Sequence, residues 1–153
     1  MFLESAIVVA GFNTVLDSCN SIAFGAASIN PTYHPWCTYS GAILYLFGIS
    51  VETLGEIQRK RFKDKAENKG KLYTGGLFSL VRYPSYLGYT CWRAGYALAS
   101  GGVVWSLITT SFFVWDFVTR AIPALDSYLS KRYGDQFDQF REQVPSGLIP
   151  GVV

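Results

Sequence analysis

The chain has 153 residues, of which 50% are hydrophobic, 16% aromatic and 16% charged, with a mean hydropathy of +0.21. That is enough for one domain and too apolar and charge-poor for an ordinary soluble one. The net charge of +2 excludes little, but no Lys or Arg precedes Arg59, and seven of the 13 cationic residues fall within 59–71.

Residues 2–24 have the length of a membrane span, which needs about 20 mainly apolar residues. Glu4, Asn13, Asp17 and Asn20 interrupt them, so this helix is expected to turn those groups toward a bundle interior. With Glu4 and no basic stretch, the start of the chain does not read as a secretory signal. Residues 25–35 hold Gly25, Asn30, Pro31 and Pro35 and read as a loop. Residues 36–54 form a clear span, with Trp36 at entry and Glu52 near exit. A polar helix over 56–68 continues it and ends at the glycines 70, 75 and 76. Pro84 has the character of a first helical residue. Residues 86–100 are apolar around Arg93, Gly101-Gly102 breaks them, and 103–125 follow with Asp116 and Arg120 inside. The last two segments are expected to form a helical hairpin. The fold class is therefore all-α: an integral membrane helical bundle of about four transmembrane helices in a single membrane domain over 1–153. Its parts are a weak first helix and loop (1–35), the central helices (36–125) and a tail (126–153). Cationic clusters beside spans stay in the cytoplasm, so the basic loop and the tail are expected there. An ordinary solvated helix end would give the same cluster.

Cys19, Cys37 and Cys91 form no CxxC pair and read as packing residues. His34 is the single histidine, so no metal site is expected. No Rossmann or P-loop pattern occurs, and the aromatics interleave with apolar rather than basic residues, which argues against nucleic-acid binding.

Two constellations carry possible chemistry. Glu52, Glu56, Arg59 and Lys63 are spaced by four, three and four, so they share one helix face. Such a face can grip a polar ligand or merely pair its own charges. Gly75-Gly76-Leu77-Phe78 followed by Arg82-Tyr83-Pro84-Ser85-Tyr86 puts a tight turn and an arginine at a helix start, where free N–H groups favour anions. An interfacial anchor reads the same way. Asp116 and Arg120, one turn apart, can neutralise each other.

The stretch from Glu52 to Gly102, with Glu56-Ile57-Gln58-Arg59, Gly75-Gly76-Leu77-Phe78, Arg82, Pro84, Tyr86-Leu87-Gly88 and Trp92-Arg93, resembles the C-terminal domain of the steroid 5-alpha-reductase family. Tyr128, Tyr133-Gly134, Val144-Pro145 and Leu148-Ile149-Pro150 resemble its ending. The resemblance implies a reductase of the endoplasmic-reticulum membrane that uses NADPH on the carbon–carbon double bond of a sterol-like or other lipophilic enone. It implies a cofactor site of Glu52, Glu56, Lys63, Arg82, Ser85, Tyr86, Arg120 and Tyr128, with no catalytic residue assigned. Glu52 and Glu56 would meet polar groups of the dinucleotide, and Lys63 and Arg120 its phosphates, with Arg82 in support. Ser85, Tyr86 and Tyr128 would bond the ribose or nicotinamide end. Tyr83, Ser85 and Tyr89 depart from that family's pattern, which carries His, Asn and an acid there.

Two other readings are expected alternatives. Isoprenylcysteine carboxyl methyltransferases share the Arg-x-Pro-x-Tyr-x-Gly pattern and would use S-adenosylmethionine. A non-catalytic membrane paralogue would instead pair with another subunit. The expected partners are a lipophilic small molecule, membrane lipid and a second copy or partner subunit, with no nucleic acid.

Overall fold

In the computed structural model, the described residues are 2–30 and 33–151, with side chains described from residue 11. The side chain of Glu4 and all of Pro31 lie outside them. Among the described residues every regular element is helical, and they follow the order α1 (Phe2–Ile29), α2 (Pro35–Lys63), α3 (Pro84–Asp116), α4 (Ile122–Tyr133) and α5 (Asp135–Gln143).

Pro35 opens α2 and Pro84 opens α3, positions where the missing N–H costs nothing. Helix α1 runs through Gly25 to Ile29, so the loop before α2 is shorter than the sequence predicts. Helix α2 is longer than the span: the apolar stretch and its polar continuation are one helix of 29 residues, ended at Lys63 rather than at 68. The stop is local. Asn68 donates its amide to the Phe62 carbonyl at 2.9 Å, satisfying a carbonyl that the last turn leaves open. Lys60, Arg61 and Lys63 occupy that turn, where cations complement the helix dipole.

Helix α3 is two antiparallel arms. Gly102, at φ 77° and ψ −170°, reverses the chain inside it, a conformation open to glycine. Ser106 accordingly donates to the carbonyl of Ala94, twelve residues earlier, at 2.8 Å. Tyr86 stacks on Phe117 with ring centroids 4.6 Å apart. The hairpin expected from Gly101-Gly102 is present. After Asp116 the helix widens into one π turn, Phe117–Ala121, just before Pro123, which cannot supply an α-helical N–H. The chain then continues helically into α4.

Helix α2 packs on the first arm of α3 through glycines. A Cβ on Gly41 would lie 2.6 Å from the Gly95 carbonyl oxygen, and one on Gly48 2.6 Å from that of Gly88. Gly41, Gly48 and Gly55 recur every seven residues, as do Gly88 and Gly95. This lets the backbones touch, the way membrane helices associate without a hydrophobic driving force. Helix α1 is bound differently. Asp17 pairs with the buried Arg93, Trp105 donates to Asn20 at 2.7 Å, and Ser21 bonds Tyr96 at 2.8 Å. Of the polar residues expected to face the bundle, Asn13, Asp17 and Asn20 do so, and the side chain of Glu4 lies outside the described residues.

Among the described residues two helices are long and apolar enough to cross a membrane, α2 and the run Pro84–Tyr133, and only 17% of the α2 window is buried. Ile43 is 70% and Val104 71% exposed. A belt of that kind is stable only in lipid, and this is an integral membrane protein. The basic segment, α4, α5 and the tail gather at one end of the bundle. There the tail folds back. The backbone N–H groups of Arg82 and Tyr83 donate to the carbonyls of Ser146 and Gly147 at 2.9 and 3.0 Å, and Phe137, Phe140 and Leu148 are buried.

Candidate functional site

Where α2 leaves the belt and α3 begins, three adjoining cavities share wall residues from the basic end toward the lipid belt. The outer one, of about 550 Å3, lies between the last turns of α2 and α4, with Lys60, Lys63, Tyr128 and Arg132 on its walls. Glu56, Arg59 and Leu125 are shared with a middle cavity of about 230 Å3, which adds Tyr83, Ser85 and Tyr86. Ser85 and Tyr86 are shared in turn with an inner cavity of about 280 Å3, lined by Asn13, Glu52, Tyr89, Phe113, Asp116, Phe117 and Arg120. Arg82 and Lys63 border a narrow side cleft of about 70 Å3. All eight sequence-derived candidates therefore lie on the walls of these neighbouring cavities, although they come from α2, the α3 start, the π turn and α4.

Glu56 stands at the junction. It accepts from the Ser85 hydroxyl at 2.8 Å and from the Arg59 guanidinium at 2.5 Å, and both members of the ion pair are about half exposed. One turn deeper, Glu52 accepts from the Trp92 indole N–H at 2.8 Å. The four-residue ladder on α2 is thus not a chain of internal ion pairs. Arg120 and Asp116 form a two-pronged pair, Nε–Oδ1 and Nη2–Oδ2 both 2.7 Å. Tyr128 accepts from Arg132 at 2.5 Å, and Lys63 has no carboxylate partner among the described residues.

Arg82 is directed elsewhere. Its guanidinium donates to the carbonyls of Val144 at 3.0 Å and Pro145 at 2.5 Å and lies 3.6 Å from Asp126. The Tyr83 hydroxyl donates to the same carboxylate. Burial first, and then that hydrogen bond, push the Tyr83 hydroxyl above its ordinary value of 10.0. The three groups bolt α4 and the tail onto the start of α3.

The sequence reading missed several wall residues. Asn13, expected to face the bundle interior but not to line a site, has its Oδ1 buried without a partner on the inner wall, an acceptor waiting for a donor. Asp126, which fixes the wall formed by α4, gave no signal in the sequence.

Residues 4–144 match the family described as "Protein of unknown function (DUF1295)". The chain belongs to this family. Among relatives of this DUF1295 chain, "Probable O-methyltransferase ustE" of Ustilaginoidea virens is 44% identical over 139 residues, covering 85% of this chain and 49% of the relative. "Protein-S-isoprenylcysteine O-methyltransferase" of Schizosaccharomyces pombe is 36% identical over 96 residues, covering 61% and 38%. "Protein-S-isoprenylcysteine O-methyltransferase B" of Arabidopsis thaliana is 32% identical over 114 residues, covering 67% and 57%. The chain spans about half the length of the curated relatives it matches.

These names overturn the assignment to the steroid 5-alpha-reductase family, and with it the oxidoreductase activity, the enone substrate and NADPH. The geometry gives a physical reason. Of the three cations assigned to the phosphates of the dinucleotide, Arg82 is engaged by the tail and Arg120 by Asp116, which leaves Lys63 alone unpaired, while Glu52 and Glu56 would repel phosphate. The departures are also structural. Tyr83 holds Asp126, and the Tyr89 hydroxyl accepts from Arg93 at 3.1 Å, so the missing histidine and acid leave no empty role. The Arg-x-Pro-x-Tyr-x-Gly block common to both families misdirected the resemblance.

Proposed function

We propose that this DUF1295 chain forms the cofactor-binding part of a membrane O-methyltransferase that uses S-adenosylmethionine and a lipophilic acceptor. The names of the relatives support the reaction class, and the cavity chemistry supports the cofactor. S-adenosylmethionine supplies, when bound, an electrophilic methyl group on a positively charged sulfur. Its ammonium and ribose hydroxyls need acceptors, its carboxylate a cation, and its sulfonium carboxylate or aromatic faces. Glu52, Glu56 and the unpartnered Oδ1 of Asn13 are such acceptors. Lys63, without a carboxylate partner among the described residues, is a cation on the outer cavity, and Tyr86 stacked on Phe117 presents aromatic surface that excludes water. The donor set fits.

The observation that carries the reading is the position of Glu56, whose carboxylate lies on the walls of the outer and middle cavities and accepts from Ser85, a residue that also lines the aromatic inner cavity. Ser85 and Arg59 hold it in place, so a polar cofactor and a lipophilic acceptor can meet at one point. In this reading Ser85 and Tyr128 bond the cofactor's polar groups. Arg120 faces the acceptor side, and Arg82 acts through the tail by fixing α4. The basic end faces the cytosol, as its cluster of cations favours, and the endoplasmic reticulum is the proposed membrane.

The test is transfer of methyl label from S-adenosylmethionine into solvent-extractable lipid by membranes carrying the full chain. Label should appear with wild type and fall at least tenfold with Glu56→Gln, the size of change expected when a charge-assisted hydrogen bond of about 1.5–3 kcal/mol is lost. Equal labelling by both proteins would refute the assignment.

A further inference from the structure

The face of α2 turned away from α3 has no partner among the described residues. Tyr39 is 71% exposed, Ile43 70%, Leu46 62%, Leu54 51% and Ile57 39%. At about 100° per residue these side chains fall within an arc roughly 100° wide, opposite the row of Gly41, Gly48 and Gly55 that meets α3. The same arc, one turn further on, carries Arg61. From Trp36 to Ile57 the helix rises about 31 Å, matching a hydrocarbon core of about 30 Å, and Arg61 stands about 6 Å beyond it, at headgroup depth. Arg61 and Lys65, just past the helix end, are exposed, and neither has a carboxylate partner among the described residues. Arg59, which faces the cavity, is paired with Glu56.

We propose that Arg61 and Lys65 form a docking site for the headgroup of an anionic phospholipid, whose acyl chains lie along the stripe from Ile43 to Ile57. Charge complementarity selects this occupant. A zwitterionic headgroup adds its own cation to the pair, whereas phosphatidylglycerol brings a net negative charge to two unpaired ones. The long side chains keep their stems on the apolar stripe and their charges among the phosphates. The site lies outside the cavity and does not depend on methyl transfer.

The full chain in nanodiscs of equimolar phosphatidylglycerol and phosphatidylcholine, released for native mass spectrometry, tests this. Wild type should retain phosphatidylglycerol in excess over phosphatidylcholine. Arg61→Gln with Lys65→Gln should lower that ratio by about fivefold per cation removed, the equivalent of about 1 kcal/mol each. Lys131→Gln with Arg141→Gln removes the same net charge from α4 and α5 and should leave the ratio unchanged. Equal retention of the two lipids by wild type would overturn the proposal. So would an equal fall with both double variants, which would indicate net charge alone, or displacement of the lipid by millimolar inorganic phosphate, which would indicate a free-anion site. The readout needs no activity, so it stands apart from the fate of the methyltransferase assignment.

Discussion

Glu56 is held by a hydroxyl from one helix and a guanidinium from its own, and that sharing makes it sensitive to a change that keeps its shape. Glu56→Gln preserves volume but removes the charge that would attract an ammonium or sulfonium. It should weaken S-adenosylmethionine binding by at least tenfold in a calorimetric titration, while the melting temperature shifts little because the group is half exposed. Tyr83 offers a pH signature. Its hydroxyl is raised in the folded protein, so its contribution to stability is intact below about pH 10 and is lost as the unfolded chain ionises above it. Tyr83→Phe should therefore lose less stability than wild type between neutral pH and pH 11 in detergent melts; parallel profiles would contradict the raised value. At this scale the sequence was readable only where partners are near. The spacing of Glu52, Glu56, Arg59 and Lys63 put them on one face correctly. It could not say that Glu52 would meet Trp92, or that Arg93, with no acid nearby in sequence, would find Asp17 across 76 positions.

Among the elements, the contact of α2 with α3 is set by the seven-residue glycine rows. Gly48→Ala would drive a methyl group into the backbone of α3 and should destabilise the bundle by about 1–3 kcal/mol, the ordinary cost of overpacking. The same change at Gly25, where a Cβ meets nothing within 4 Å, should be neutral or mildly stabilising in a thermal melt. Similar losses at both positions would remove the glycine rows from the account. The rows are visible in the sequence, but a reading that treats glycine mainly as a breaker passes over them. The turn at Gly101-Gly102 and the start at Pro84 were legible because they depend on local backbone chemistry. The end of α2 was not, because Asn68 reaches back from beyond the helix to close it.

For the whole molecule, hydropathy and the placement of cations are enough to give a helical membrane bundle with one basic end. The cavity is not legible that way, because its walls come from separate stretches, among them α1, α2, the start and the end of α3, and α4. The block around Pro84 is common to both families and could not separate them, and the engagement of Arg82 by carbonyls of the tail, more than sixty positions away, is not visible in it. The most direct measurement is a side-by-side calorimetric titration of the purified full chain with S-adenosylmethionine and with NADPH. Saturable binding of S-adenosylmethionine, weakened by Glu56→Gln, with no heat from NADPH is the predicted result. Tighter binding of NADPH would contradict the account.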